Sequence, residues 1–152
     1  MGVVGEVHLV GGAVMSLVFD ARPSTRDVNA WFHPATELRE AAGRVAAVAG
    51  VPEGWLNDGA KGFLGSRAEF EPYLDLPNLR LFTAVPAYLL AMKCLAMRIG
   101  KGFRDEEDVR FLLRVLNIER YEDAVELVLS YFEEDRIPPK TWLALEEILR
   151  GD

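Results

Sequence analysis

Asp27 and Asn29 stand two residues apart, so on a β-strand their oxygens project from one face. Upstream, Gly11-Gly12 precedes the apolar run Ala13-Val14-Met15. Two glycines let a backbone turn sharply and approach a ligand closely. A helix opening just after them points free N–H groups outward, which suits an anion. A phosphate cradle followed by two oxygen ligands outlines a metal-assisted nucleotide site. The segment between them, Arg22-Pro23-Ser24-Thr25, is turn material with two hydroxyls. The competing reading of Asp27 and Asn29 is a solvent-facing strand edge.

Other groups could join such a site. Residues 51–77 are irregular, and a loop of that length inside a compact domain is usually functional or mobile. Within it, Asp58 and Lys61 are the polar side chains of interest, against a plain reading of turn chemistry and a solvated lysine. Lys93 interrupts an otherwise apolar helix, so it either snorkels to the surface or points into a cleft, with Arg98 beside it. Asp105 and Asp108 complement a helix N-terminus, or instead pair with Lys93 and Arg98. His8 reads as a half-exposed strand residue, and Cys94, inside Leu89-Leu90-Ala91-Met92-Lys93-Cys94-Leu95, as a small buried hydrophobe.

These groups need elements to hold them. Residues 5–10 alternate polar and apolar, as a strand does, and residues 13–19 suit a short helix packed on a sheet. A second strand runs from about 27 to 32, with Val28 and Ala30 on one face and Asp27, Asn29 and Trp31 on the other. His33-Pro34 ends it. Thr36 is a fair N-cap for a helix carrying Leu38, Ala42 and Val45 at helical spacing, and Gly50 closes that helix. Asp75 to Asn78 is a turn and residues 79–84 a third strand. Pro86 opens a helix, apolar nearly all round and therefore central, that extends to Gly100. Helices follow behind Asp105, over residues 120–132, and after Pro138-Pro139. The first half mixes strands and helices; the second holds helices only.

Composition bounds the function. The chain has 152 residues and 50% of them are hydrophobic, enough for one domain with a real core. A net charge of −7 makes it a poor general nucleic-acid binder, because phosphate contacts need Lys and Arg. A single cysteine allows no internal disulfide framework and fits a reducing compartment. No apolar run reaches the roughly 18 residues of a membrane helix, and the N-terminus lacks a signal peptide's basic region. A cytoplasmic protein is expected.

Gly11-Gly12-Ala13 followed by Arg22-x-Ser24-Thr25-x-Asp27-x-Asn29 resembles the nucleotidyltransferase (polymerase beta-like) superfamily. The resemblance is closest to small bacterial toxin–antitoxin proteins of the AbiEii and MNT type. Trp55-Leu56-Asn57-Asp58-x-x-Lys61-Gly62-Phe63, Pro86-x-Tyr88-Leu89-Leu90-Ala91-Met92-Lys93-x-Leu95-Ala96-x-Arg98 and Arg104-Asp105-x-x-Asp108-x-Arg110-Phe111-Leu112 look similar to an uncharacterised branch of that group.

The resemblance implies an α+β fold: a small mixed sheet with packed helices over residues 1–100, then a helical extension over 101–152. It implies transfer of a nucleotide from an NTP to a protein or RNA hydroxyl with Mg²⁺. Gly11 and Gly12 would cradle the phosphates with Ser24 and Thr25 nearby, and Lys61, Lys93 or Arg98 would steady the triphosphate. Asp27 and Asn29 would carry the catalytic metal, with Asp58 as a further ligand. Two departures stand out. Asn29 occupies the place of the second strand acid and supplies a neutral amide oxygen. The third acid is absent from residues 79–84, leaving Asp58 or Asp75 as substitutes. The alternative is a catalytically degenerate member acting as a binding or antitoxin partner; a blander one is a helical interaction module, for which a stable homodimer would speak, whose glycine turn is structural.

Overall fold

The computed structural model describes residues 3–19, 28–58, 67–98 and 105–150. The fold is α+β, with a five-stranded mixed sheet followed by a C-terminal half made of helices. The chain forms two compact units: residues 1–62 with 70–84, and residues 63–69 with 85–152.

The first unit holds β1 (Gly5–Val10), α1 (Gly12–Leu17), β2 (Val28–His33), α2 (Ala35–Ala49), β3 (Leu56–Asn57), β4 (Phe70–Leu76) and β5 (Leu79–Ala84). The strand order is β3-β2-β1-β5-β4. Strand β1 runs antiparallel to β2 and parallel to β5, and β4 returns antiparallel along β5. Alternation along the strands separates two sides. Val7, Leu9, Ala30 and Phe32 are buried, and α2 lies on their side. There a Cβ added to Gly5 would come 2.9 Å from a Leu38 methyl, and the Arg39 guanidinium sits 5.4 Å from the Phe32 ring centroid. The Trp55 indole N–H donates to the Ala42 carbonyl at 2.9 Å, tying the chain after α2 back to that helix. Burying each large side chain here contributes about 1.5–3 kcal/mol.

Helix α2 and strand β4 differ from the sequence reading. Helix α2 starts at Ala35, and Pro34 stands at its N-cap with φ −73° and ψ 136°. The Pro34 carbonyl accepts the Leu38 N–H at 3.2 Å, which places Thr36 inside the first turn rather than at the cap. Gly50 does close the helix, at φ 70°. Strand β4 is new. Its alternation is broken by an irregularity between Pro72 and Leu74, and Pro72 cannot donate to a ladder. Both features are tolerated because β4 is the edge of the sheet.

The second unit holds α3 (Pro86–Leu95), α4 (Asp105–Val115), α5 (Tyr121–Tyr131), a 3₁₀ turn (Glu134–Arg136) and α6 (Pro139–Arg150). Helix α3 packs on α4 and α5, and α5 on α6. Seven of the ten α3 residues are buried, as its all-round apolarity requires. Cys94 is buried, and burial pushes its thiol up to about 12. The Thr141 hydroxyl donates to the Cys94 carbonyl at 2.8 Å, linking α6 to the end of α3. The Tyr88 ring meets Tyr131 and Phe132 at centroid distances of 5.3 and 6.2 Å. Among the described residues, no helix is long and apolar enough to cross a membrane.

Candidate functional site

Strand β1 ends at Val10, and Gly11 makes the turn into α1 at φ 66°, ψ −143°. This backbone conformation is essentially open only to glycine. The Gly11 carbonyl accepts the Val14 N–H at 3.1 Å, so the helix begins directly behind the turn. Gly12 is its first residue. Beside the turn, Asn29 pairs in register with Val10 on β1 and with Asn57 on β3. A Cβ built on Gly11 would lie 3.8 Å from the Asn29 side-chain nitrogen. The glycine turn and the strand amide are therefore neighbours, as their sequence pattern suggests.

Asp58 goes elsewhere. It follows Asn57 by one residue, and its carboxylate lies 2.7 Å from the Arg39 Nη2 on α2. Arg39 also covers Phe32, whereas Asn29 alternates to the opposite side of β2 with Trp31 and His33. Asp58 is thus paired with a cation from α2, while Asn29 lies on the other side of β2. Among the described residues, no group of three or more His, Cys, Asp or Glu side chains could hold a metal ion. Among the described residues, Asn29 and its register partner Asn57 carry neutral amides, whereas Mg²⁺ is usually held by one or two carboxylates. Ser24, Thr25, Asp27 and Lys61 lie outside the described residues.

Lys93 and Arg98 belong to the second unit, where carboxylates hold both. The Lys93 ammonium lies 2.7 Å from Asp108 and 3.7 Å from Asp105. Arg98 donates to Asp105 through its backbone N–H at 2.8 Å and its Nε at 2.9 Å. These bonds explain why α3 stops at Leu95 instead of continuing to Gly100: Asp105 draws Arg98 out of helical geometry. Burial raises the Asp105 carboxyl, but hydrogen bonds from the Arg98 side chain and backbone, with the charges of Lys93 and Arg98, outweigh it. The net effect holds Asp105 below the usual carboxylate range. An incoming triphosphate would compete with these carboxylates for both cations.

Sequence reasoning passed over one feature, an aromatic cluster on the Asn29 side of the sheet. His8 pairs in register with Trp31 and with Phe82. Its ring stacks on Phe82 at 4.5 Å and meets Trp31 and Phe70 edge-on, each at 4.9 Å. The His8 Nδ1 is buried and finds no hydrogen-bond partner among the described residues. Burial lowers the His8 pKa, against opposing effects of the Glu6 charge and the Trp31 backbone. The available signal was the alternation of ring-bearing residues at 29+2 and 29+4 along β2, Trp31 and His33. Compared with known protein families, curated proteins and solved structures, the chain matches none of them.

Proposed function

We propose that this chain is a nucleotidyltransferase-like, nucleotide-binding protein that has lost two-metal transfer chemistry and serves as a binding partner. A cytoplasmic toxin–antitoxin component, acting on a partner protein or RNA, is the setting that the sequence resemblance suggests. The observation that carries the reading is the Gly11 turn at φ 66° with Asn29 beside it. A left-handed glycine lets the backbone come close to a ligand, and the adjacent amide supplies a donor and an acceptor of hydrogen bonds. The neutral side chain at position 29 and the capture of Asp58 by Arg39 support the loss of metal chemistry.

The test is incubation with labelled NTPs and Mg²⁺, alone and with candidate protein or RNA acceptors. The wild type is expected to bind nucleotide and transfer no label. Label on an acceptor would overturn the degenerate reading in favour of a working nucleotidyltransferase. The Asn29→Asp variant is expected to gain Mg²⁺-dependent nucleotide binding, seen as a thermal shift that needs both ligands. An unchanged Mg²⁺ response in that variant would argue against a metal site of this ancestry.

A further inference from the structure

The side of the sheet that carries Asn29 is arranged in rows. Asn29 lies opposite Val10, next to the glycine turn. Trp31 lies opposite His8 in the next row, and His8 opposite Phe82. His33, Glu6 and Arg80 form the third. Successive rows are two residues apart, roughly 7 Å along the strands. The third row is charged: Arg80 lies 3.8 Å from Glu6 and 4.0 Å from Asp75. The middle row is aromatic and lies between the turn and this charged row.

Trp31 is 37% exposed, while the buried edge of His8 supports it from the sheet. The His33 ring lies nearly parallel to it, with 9° between the planes. An indole held in place by its neighbours, yet open to solvent, offers a π-face at low cost in side-chain entropy. A phosphate group at the Gly11 turn and a ribose beside Asn29 would bring a nucleobase over the Trp31 row.

Resting on the nucleotide-binding reading above, we infer that Trp31 is the stacking platform for the base of the bound nucleotide. His8 and Phe82 form its floor, and the Glu6–Arg80–Asp75 row bounds it. Stacking recognises any π-face, so the platform holds nucleotides with little preference among bases. Its contribution is separate from that of the phosphate cradle.

The experiment is calorimetric titration of ATP, UTP and inorganic tripolyphosphate into the wild type, Trp31→Ala and Trp31→Phe, with circular dichroism to confirm folding. Trp31→Ala is expected to bind ATP about 5- to 150-fold more weakly, the usual range for loss of one base–aromatic stack. Its tripolyphosphate affinity stays at the wild-type value, and Trp31→Phe retains most of the ATP affinity. Equal binding of ATP by the wild type and Trp31→Ala would overturn the platform and leave the phosphate site standing. Equal wild-type affinity for ATP and tripolyphosphate would also overturn it. A wild type that binds none of the three ligands would refute the nucleotide reading and the platform with it.

Discussion

Replacing Lys93 with methionine is expected to destabilise the protein by about 3–5 kcal/mol, the cost of removing one partner from a buried ion pair. The Lys93 side chain is 13% exposed and those of Asp105 and Asp108 are each 6% exposed. Its ammonium lies between both carboxylates, and the more exposed Arg98 also pairs with Asp105. Methionine keeps the volume and the apolar stem but leaves two neighbouring carboxylates in a poorly hydrated place. Urea unfolding is the readout. Arg110→Met, which breaks the exposed pair with Glu106, is the control and should change stability by less than about 0.5 kcal/mol. A Lys93→Met loss as small as that of the control would show that the cluster adds nothing to α3–α4 packing. The pH dependence has a definite sign. The folded-state pKa of Asp105 is depressed, so its contribution is complete above the ordinary carboxylate range and is lost as pH falls through the lowered value.

Gly11→Ala is expected to cost about 1–3 kcal/mol in stability, because the backbone there occupies a region nearly restricted to glycine. Space is not the obstacle: the nearest atom to the added Cβ, the Asn29 nitrogen, is 3.8 Å away. The penalty is conformational, and relaxing it moves the turn away from the geometry proposed to admit a phosphate. Each loss of about 1.4 kcal/mol of binding free energy is a tenfold loss in affinity. The variant should therefore lose ATP and tripolyphosphate binding together, unlike Trp31→Ala. Gly43→Ala, in the middle of α2 with nothing within 4 Å of the added Cβ, should stabilise slightly and bind as the wild type does. Wild-type affinity in Gly11→Ala would separate the turn from ligand binding.

The parts of the fold that were legible are those governed by local rules. Strand β1, helix α1 and strand β2 follow from alternation and the double glycine, and Gly50 ends α2 as a left-handed glycine should. What escaped depends on partners distant in sequence. Strand β4 breaks its own alternation at Pro72 and is a strand only because β5 pairs with it. Helix α3 ends early because Asp105 binds the Arg98 N–H, a contact no local pattern announces. The candidate site divides in the same way. The adjacency of Gly11 and Asn29 comes from one short β–α–β unit and is readable from spacing. The placement of Asp58 depends on Arg39, 19 residues away on a helix, and spacing says nothing of it. For Asp105 and Asp108 the sequence left open whether they served a helix terminus or the Lys93 and Arg98 charges; they do both.

The most direct measurement is amide-resolved NMR of the ¹⁵N-labelled protein titrated with tripolyphosphate and then with ATP. Binding at the glycine turn is expected to shift the Gly11, Gly12 and Ala13 amides and the Asn29 side-chain NH₂ with both ligands. The Trp31 indole N–H should shift with ATP alone. Shifts confined to the helical unit around Lys93 and Arg98, or no saturable shift with either ligand, would contradict nucleotide binding at the β1–α1 turn.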